Sequence, residues 1–383
     1  VGDRPPLSRR QVQSSNQPGD QANTGFGTIA EYIDVLSEEI QATTSAGPPL
    51  QTIFLGGGTP SLLTVSQLDQ ILTQLDQQFG IATGAEISME IDPDTFDQDR
   101  LQSYRAAGIN RVSLGVQAFQ PELLAACGRT HTRADVDAAI EMIQAVGLTN
   151  YSVDLISGLP HQTLADWQAS LQATIGLTPT HISVYDLTVE AGTAFDRWYQ
   201  AGVEPLPTEE MTAEMYRLAQ QTLTAAGYQH YEISNYAQPG YQCRHNRVYW
   251  ENRSYYGFGM AAASYRDGQR FTRPRKRRDY YKWVQEFKAT SRINCPNTST
   301  TEALLDTLML GLRLAEGISL ILLRERFGEV AIQQILRCLQ TYQQSGWIGV
   351  DEASQRIWLT DPDGFLFSNV VLAELFKVLS AED

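Results

Sequence analysis

A chain of 383 residues can bury a large core and should form more than one domain. With 44 acidic against 29 basic side chains its formal net charge is −15, which argues against nonspecific binding to nucleic acid, whose phosphates repel an acidic surface. Its four cysteines are scattered, which gives no disulfide framework and suits a reducing, cytoplasmic setting. No apolar run approaches the ~18 residues that span a bilayer, and no signal peptide is visible.

In chain order, residues 1–27 are rich in Ser, Gln, Asn, Asp, Gly and Pro and read as a polar, mobile segment. A helix is expected from Thr28 to Ile40. The apolar run Thr52 to Leu55 then leads into Gly56-Gly57-Gly58-Thr59-Pro60 and a periodic helix from about Val65 to Phe79, with Gly80 as its stop. Glycines let bare backbone approach a ligand, although such a loop on its own is often only a turn. Four more strand-like runs follow at βα spacing, each carrying a polar residue near its end. Glu86 to Ile91 carries Glu90, and Arg111 to Gln117 carries Gln117. Tyr151 to Ile156 carries Asp154, and His181 to Thr188 carries Tyr185 and Asp186. Helical periodicity lies between them, as in Val136, Ile140 and Ile143, or Trp167, Leu171 and Ile175.

This alternation implies an α/β fold with a parallel sheet and right-handed crossovers, either a barrel or an open doubly wound sheet. Functional residues in such folds collect at the carboxyl ends of the strands. Glu90, Gln117 and Asp154 should therefore meet at the mouth that the glycine loop faces. Any one of them could merely cap a loop. A carboxylate inside a run as apolar as that around Asp154, however, costs several kcal/mol unless it is paired or ligand-bound.

The βα rhythm stops after Tyr280. Ser299 to Leu314, Ser319 to Arg326 and Ala331 to Tyr342 read as helices, Trp347 to Val350 and Arg356 to Thr360 as a hairpin, and Ser368 to Leu379 as a last helix. Four segments are expected: 1–27, a barrel over 28–230, a cover segment over 231–296, and a small winged-helix-like α+β domain over 297–383.

Five ordered motifs resemble the radical S-adenosylmethionine enzymes of the oxygen-independent coproporphyrinogen III oxidase type. They are Gly56 to Pro60, Met89 to Pro93, Ser113 to Phe119, Gly128 to His131, and Asp154 to Thr163. The resemblance implies a partial parallel (β/α) barrel and assigns S-adenosylmethionine to Gly57, Gly58, Thr59, Glu90, Gln117, Arg129 and Asp154. That chemistry is sound. The ligand's ammonium suits a carboxylate, its carboxylate suits Arg, and its ribose suits Asp or Gln. The family also holds a [4Fe–4S] cluster on a Cys-x3-Cys-x2-Cys motif after its first barrel strand. Cys127, Cys243, Cys295 and Cys338 lack that spacing, so no cluster ligand is expected in this chain. The expectation is a chain truncated just after the cluster loop, lacking the first strand, with the ligands upstream of Val1. The rival is a degenerate binder that lost the cluster.

Cys243-Arg244-His245-Asn246-Arg247-Val248-Tyr249-Trp250 resembles the heme chaperone branch of this family. By that resemblance the intact protein binds heme and delivers it to acceptor proteins. His245 is then a candidate iron ligand, with Asn246, Tyr249 and Trp250 around the macrocycle. The bland alternative is a satisfied core histidine, with Cys243 a buried spectator. The basic run Arg273, Arg275, Lys276, Arg277 and Arg278 could reach porphyrin propionates or form a solvated face. The alternative function is the oxidase itself, a radical decarboxylation in porphyrin biosynthesis, and whether the chain is a homodimer stays open.

Overall fold

The computed structural model describes residues 28–380 apart from 291, 292, 294, 296, 297 and 352. The expected mobile segment 1–27 lies outside the described residues. Helix α1 (Ile29–Ala42), capped by the Thr28 hydroxyl, precedes strand β1 (Leu50–Leu55). There follow α2 (Val65–Phe79), β2 (Ile81–Ile91), α3 (Gln98–Ala107), β3 (Arg111–Gln117), α4 (Pro121–Ala126), α5 (Arg133–Ala145), β4 (Tyr151–Ser157), α6 (Leu164–Gly176) and β5 (His181–Asp186). Strands β1 to β5 pair in that order, all parallel. The expected alternation is present, with β3 and α2 at the expected bounds. The structure is a half-barrel.

Threonine caps start the helices of this rhythm. Thr64, Thr132 and Thr163 each accept the amide of the third helical residue, which reaches back to the cap amide, so α2, α5 and α6 all begin on a capping box. Away from the irregularities in β1 and at the end of β3, the strands alternate. Ile53, Ile87, Met89, Val112, Leu114, Val153, Leu155 and Ile182 enter the apolar core beneath the helices. Thr52, Glu86, Ser88, Glu90, Ser113, Ser152, Asp154, His181 and Ser183 occupy the intervening positions and give the concave face a polar lining.

The sheet does not end at β5. After α7 (Ala194–Trp198) and α8 (Glu209–Ala225), the hairpin of β6 (Gln229–Glu232) and β7 (Asn235–Ala237) adds two strands, with β7 antiparallel to β5. These strands straddle the boundary expected at residue 230. Helix α9 (Arg244–Trp250), the hairpin β8 (Ala263–Arg266) with β9 (Gln269–Thr272), and α10 (Arg277–Thr290) follow.

Arg273, grouped with a basic run in the sequence, is neither a solvated cation nor a propionate ligand. It is buried and paired with Glu39 of α1 at 2.6 Å. Glu39 also accepts the Gly259 amide at 2.9 Å and the Tyr280 hydroxyl at 2.7 Å, so a fully satisfied ionic node fastens 257–280 onto α1.

The C-terminal module comprises α11 (Thr300–Gly311), β10 (Ile318–Ser319), α12 (Leu320–Gln344), β11 (Ile348–Asp351), β12 (Arg356–Leu359), α13 (Asp363–Leu366) and α14 (Ser368–Ser380). Gly328, at φ +86°, breaks α12 where two helices are expected. The expected hairpin is β11–β12, and β10 joins it as a third, antiparallel strand. This module has its own core of Leu308, Leu312, Ile332, Ile335, Leu339, Ile357 and Leu375, among others.

Candidate functional site

At the carboxyl end of β1 the chain enters the glycine loop. Gly57 and Gly58 take φ of +82° and +69° with open space where a Cβ would point, so backbone conformation alone requires glycine there. Gly56 is required by space. A Cβ on it would strike the Phe54 ring and stand 3.0 Å from Glu90 Oε1. The loop is hooked to β2 by the Gly57 N–H, which donates to Glu90 at 2.9 Å. Burial raises the Glu90 carboxyl above its ordinary range, and the nearby Asp154 and Asp92 carboxylates add to the effect.

Gln117 ends β3 at φ +65°, a left-handed conformation unusual for a residue with a side chain. The β3–β4 register slips between Gly115 and Gln117, so Val116 forms a bulge that turns Gln117 into the mouth. The ring Nε2–H of buried His131 donates to the Val116 carbonyl at 3.0 Å and holds the bulge. Arg129, from the same Gly128 to His131 motif, pairs with Asp92 at 2.8 Å. Asp154 accepts from Ser113 at 2.8 and 3.0 Å and from Ser152 at 3.0 Å, and burial still raises its carboxyl.

Gly58, Thr59, Glu90, Gln117, Arg129 and Asp154 line one cavity of about 360 Å³, together with Ser113, Gly115 and Tyr185. That volume falls in the range of small-molecule sites. Three carboxylates against one guanidinium favour a ligand whose positive charge faces Glu90 and Asp154. Gly57 is exposed and does not line the cavity, but its N–H is tied to Glu90, which does. A zwitterion carrying a cationic centre would satisfy this residue set.

His245 sits elsewhere. Its ring hydrogen-bonds Thr52 Oγ1 through Nδ1 at 2.9 Å and the Tyr249 hydroxyl through Nε2 at 2.8 Å, and it stacks on Phe54 at 5.3 Å. Its amide and that of Arg244 donate to Glu86 at 3.0 and 3.1 Å. Glu86 precedes Glu90 by four residues on β2, about 13 Å along the strand at ~3.3 Å per residue, so α9 closes the floor of the concave face while the cavity opens at its rim. Burial depresses the imidazole to about 4, leaving it neutral and with a lone pair at neutral pH. Both nitrogens are engaged within the chain, so metal ligation through Nε2 requires the half-exposed Tyr249 to turn aside. Trp250 packs under the Arg313 guanidinium at 5.7 Å, and its buried indole N–H has no partner among the described residues. The Asn246 amide meets the Cys243 sulfur at 3.5 Å. Burial pushes the Cys243 thiol up to about 11, so it stays protonated.

Thr52, Glu86, Ser152 and His181, which connect these places, were not singled out from the sequence as site residues. Their signal was available. Polar residues recur at every second position of otherwise apolar strands, as in Glu86-x-Ser88-x-Glu90 and His181-x-Ser183-x-Tyr185.

The profile of the radical SAM superfamily matches residues 25–173, and that of the HemN C-terminal domain matches residues 298–367. The chain is 47% identical to the heme chaperone HemW of Synechocystis sp., over 95% of this chain and 92% of that protein. It is 34% identical to the heme chaperone HemW of Bacillus subtilis, over 90% of each. The solved coproporphyrinogen III oxidase HemN of Escherichia coli, a radical SAM enzyme, superposes with a TM-score of 0.76 at 22% identity, covering 91% of this chain and 82% of that one. The half-barrel is that of the radical SAM class. Within it, the chain belongs to the heme chaperone HemW family.

That family implies S-adenosylmethionine and a [4Fe–4S] cluster. The residues present fit the first: the cavity is of the right size, and its buried carboxyls would be relieved by a cationic ligand. They do not fit the second. The chain's cysteines are all free, and no group of three His, Cys, Asp or Glu among the described residues could hold a metal ion. No described helix is long and apolar enough to cross a membrane.

Proposed function

We propose that the chain binds S-adenosylmethionine in the rim cavity and heme at the α9 motif, and passes heme to acceptor proteins. The convergence of Gly58, Thr59, Glu90, Gln117, Arg129 and Asp154 on one cavity carries the cofactor half of this reading. Bound there, S-adenosylmethionine supplies a sulfonium and an adenosyl group. Glu90 and Asp154 face its positive charge and ribose, Arg129 its carboxylate, and the backbone around Gly57 and Gly58 its amino-acid end. The heme half is supported by kinship to the heme chaperones and by a neutral imidazole among Phe54, Tyr249 and Trp250. Tyr249 swings out to free Nε2, and Trp250 and Asn246 hold the helix.

The test is a heme titration followed through the Soret band, alongside calorimetry with S-adenosylmethionine. His245→Ala should lose or shift the Soret band and leave S-adenosylmethionine affinity unchanged. An unaltered heme spectrum combined with a lowered melting temperature would make His245 a core residue. In a reduced protein that also carries the cluster motif, conversion of coproporphyrinogen to protoporphyrinogen, with no spectral dependence on His245, would favour the oxidase instead.

A further inference from the structure

The polar lining of the concave face contains a continuous chain that starts at Asp154 in the pocket and runs through Ser152, His181 and Tyr231, none of which lines the cavity. Asp154 accepts from Ser152 Oγ at 3.0 Å, Ser152 Oγ meets His181 Nδ1 at 2.8 Å, and His181 Nε2 meets the Tyr231 hydroxyl at 2.8 Å. The Tyr231 oxygen then accepts the amide of Cys243 at 3.3 Å. Ser152, His181 and Tyr231 are all buried, so water does not compete for these bonds. One end lines the rim cavity and the other is the N-cap residue of α9. We propose that His181 and Tyr231 are positioning residues that couple the rim pocket to the motif helix, with Asp154 setting the direction of each hydrogen bond down to Cys243. The pocket end of this coupling rests on the proposed S-adenosylmethionine site, whereas the chain of bonds itself does not.

The direction follows from counting protons. The Ser152 hydroxyl has one. When Asp154 is ionised it takes that hydrogen bond, so Ser152 can only accept from His181, and the imidazole must carry its hydrogen on Nδ1. Burial, reinforced by the Arg111 charge, keeps His181 well below its ordinary pKa and therefore neutral. Nε2 is then bare and accepts from the Tyr231 O–H, which leaves the Tyr231 oxygen free for the Cys243 amide. All members are satisfied. If Asp154 stops accepting, Ser152 turns its proton to His181 Nδ1 at 2.8 Å rather than to the more distant Ser183 Oγ at 3.4 Å, and His181 becomes the Nε2–H tautomer. Tyr231 then receives two donors while its own proton loses its acceptor. A cation or hydroxyl group held by Asp154 keeps the carboxylate ionised and locks the first arrangement. Glu86 anchors α9 independently through the Arg244 and His245 amides, so altering the chain leaves the helix in place.

The full chain labelled with 15N decides this by long-range proton–nitrogen correlation of its histidines and by amide shifts. Wild-type His181 is expected as the Nδ1–H tautomer, and Asp154→Ala should convert it to Nε2–H. Saturating S-adenosylmethionine should move the Gly57, Cys243 and His245 amides in the wild type. In Tyr231→Phe it should move Gly57 while the Cys243 and His245 shifts fall by at least half. A wild-type Nε2–H tautomer overturns the proposal even where Asp154→Ala does not fold. So does a tautomer unchanged in Asp154→Ala, or full Cys243 and His245 shifts in Tyr231→Phe. If S-adenosylmethionine moves no amide yet Asp154→Ala switches the tautomer, the pocket reading fails and the chain of bonds stands.

Discussion

Glu90 and Asp154 are raised carboxyls that the fold holds against the cost of burial, and each has a lined cavity in front of it. Replacing either by Ala removes a charge-assisted contact and should weaken S-adenosylmethionine binding by roughly 1–3 kcal/mol in calorimetry. The fold should persist, because neither side chain belongs to the apolar core. Unchanged affinity in both variants would put the ligand elsewhere. His245 makes the opposite kind of prediction. Its imidazole, held at about 4 by burial, should stay neutral down to pH 5 in a histidine NMR titration, where an ordinary histidine is mostly charged. Its folded pKa lies below the unfolded value near 6.5. The unfolded state therefore takes up the proton first, and stability from this group is complete above about 6.5 and lost as pH falls towards 4. Heme ligation by a neutral ring would thus survive mild acid, and a His245 that titrates near 6.5 would contradict its burial.

At the scale of elements, the long parallel strands were legible because packing dictates their residues. All seven positions of β3 are buried, and the sequence marks its bounds without help. The start of β2 was hidden by Gly84, a poor strand former that sits at φ +75°, and was recovered only through pairing with β1 across a register slip. The three- and four-residue strands β6 to β9 carry too short a pattern to be read and exist through tertiary pairing. Glu90, Gln117 and Asp154 were legible as a convergent set because parallel topology sends strand ends to one rim. The floor chain was not, since Ser152 and His181 look like ordinary polar interruptions until β4 and β5 place them side by side. The glycine loop links both levels. In Gly56→Ala the new methyl would press on the Phe54 ring, which stacks on His245, and on Glu90, which receives Gly57. Overpacking of this kind costs about 1–3 kcal/mol. Denaturant unfolding should show that loss together with weaker S-adenosylmethionine binding, whereas a stability change alone would uncouple loop from pocket.

Among the described residues the two larger cores are joined by backbone and side-chain hydrogen bonds. The Ile233 amide donates to the Arg313 carbonyl and the Ala315 amide to the Tyr231 carbonyl, both at 3.0 Å, and His230 meets Asp361 at 2.8 Å. Tyr216 of α8 belongs to the C-terminal core, so the barrel and the module share packing as well as hydrogen bonds. This frame distributes the cysteines and decides what they can do. The Cys127 thiol donates to the Leu124 carbonyl behind α4, Cys243 lies buried at the head of α9, the Cys295 thiol donates to the Arg270 carbonyl, and Cys338 sits in α12. Each belongs to a different part of the fold. A [4Fe–4S] cluster with one open iron needs three thiolates around a single cube, and none of these elements can bring three together without unfolding. Anaerobic reconstitution of this chain with iron and sulfide should therefore give no stoichiometric sulfur-to-iron charge-transfer absorbance that responds to S-adenosylmethionine. Binding of that ligand, measured in the same preparation, should persist through the rim residues alone, because Glu90, Gln117, Arg129 and Asp154 are held by their own strands and partners. A stoichiometric, ligand-responsive cluster would show that the cysteines assemble in a way this fold does not provide.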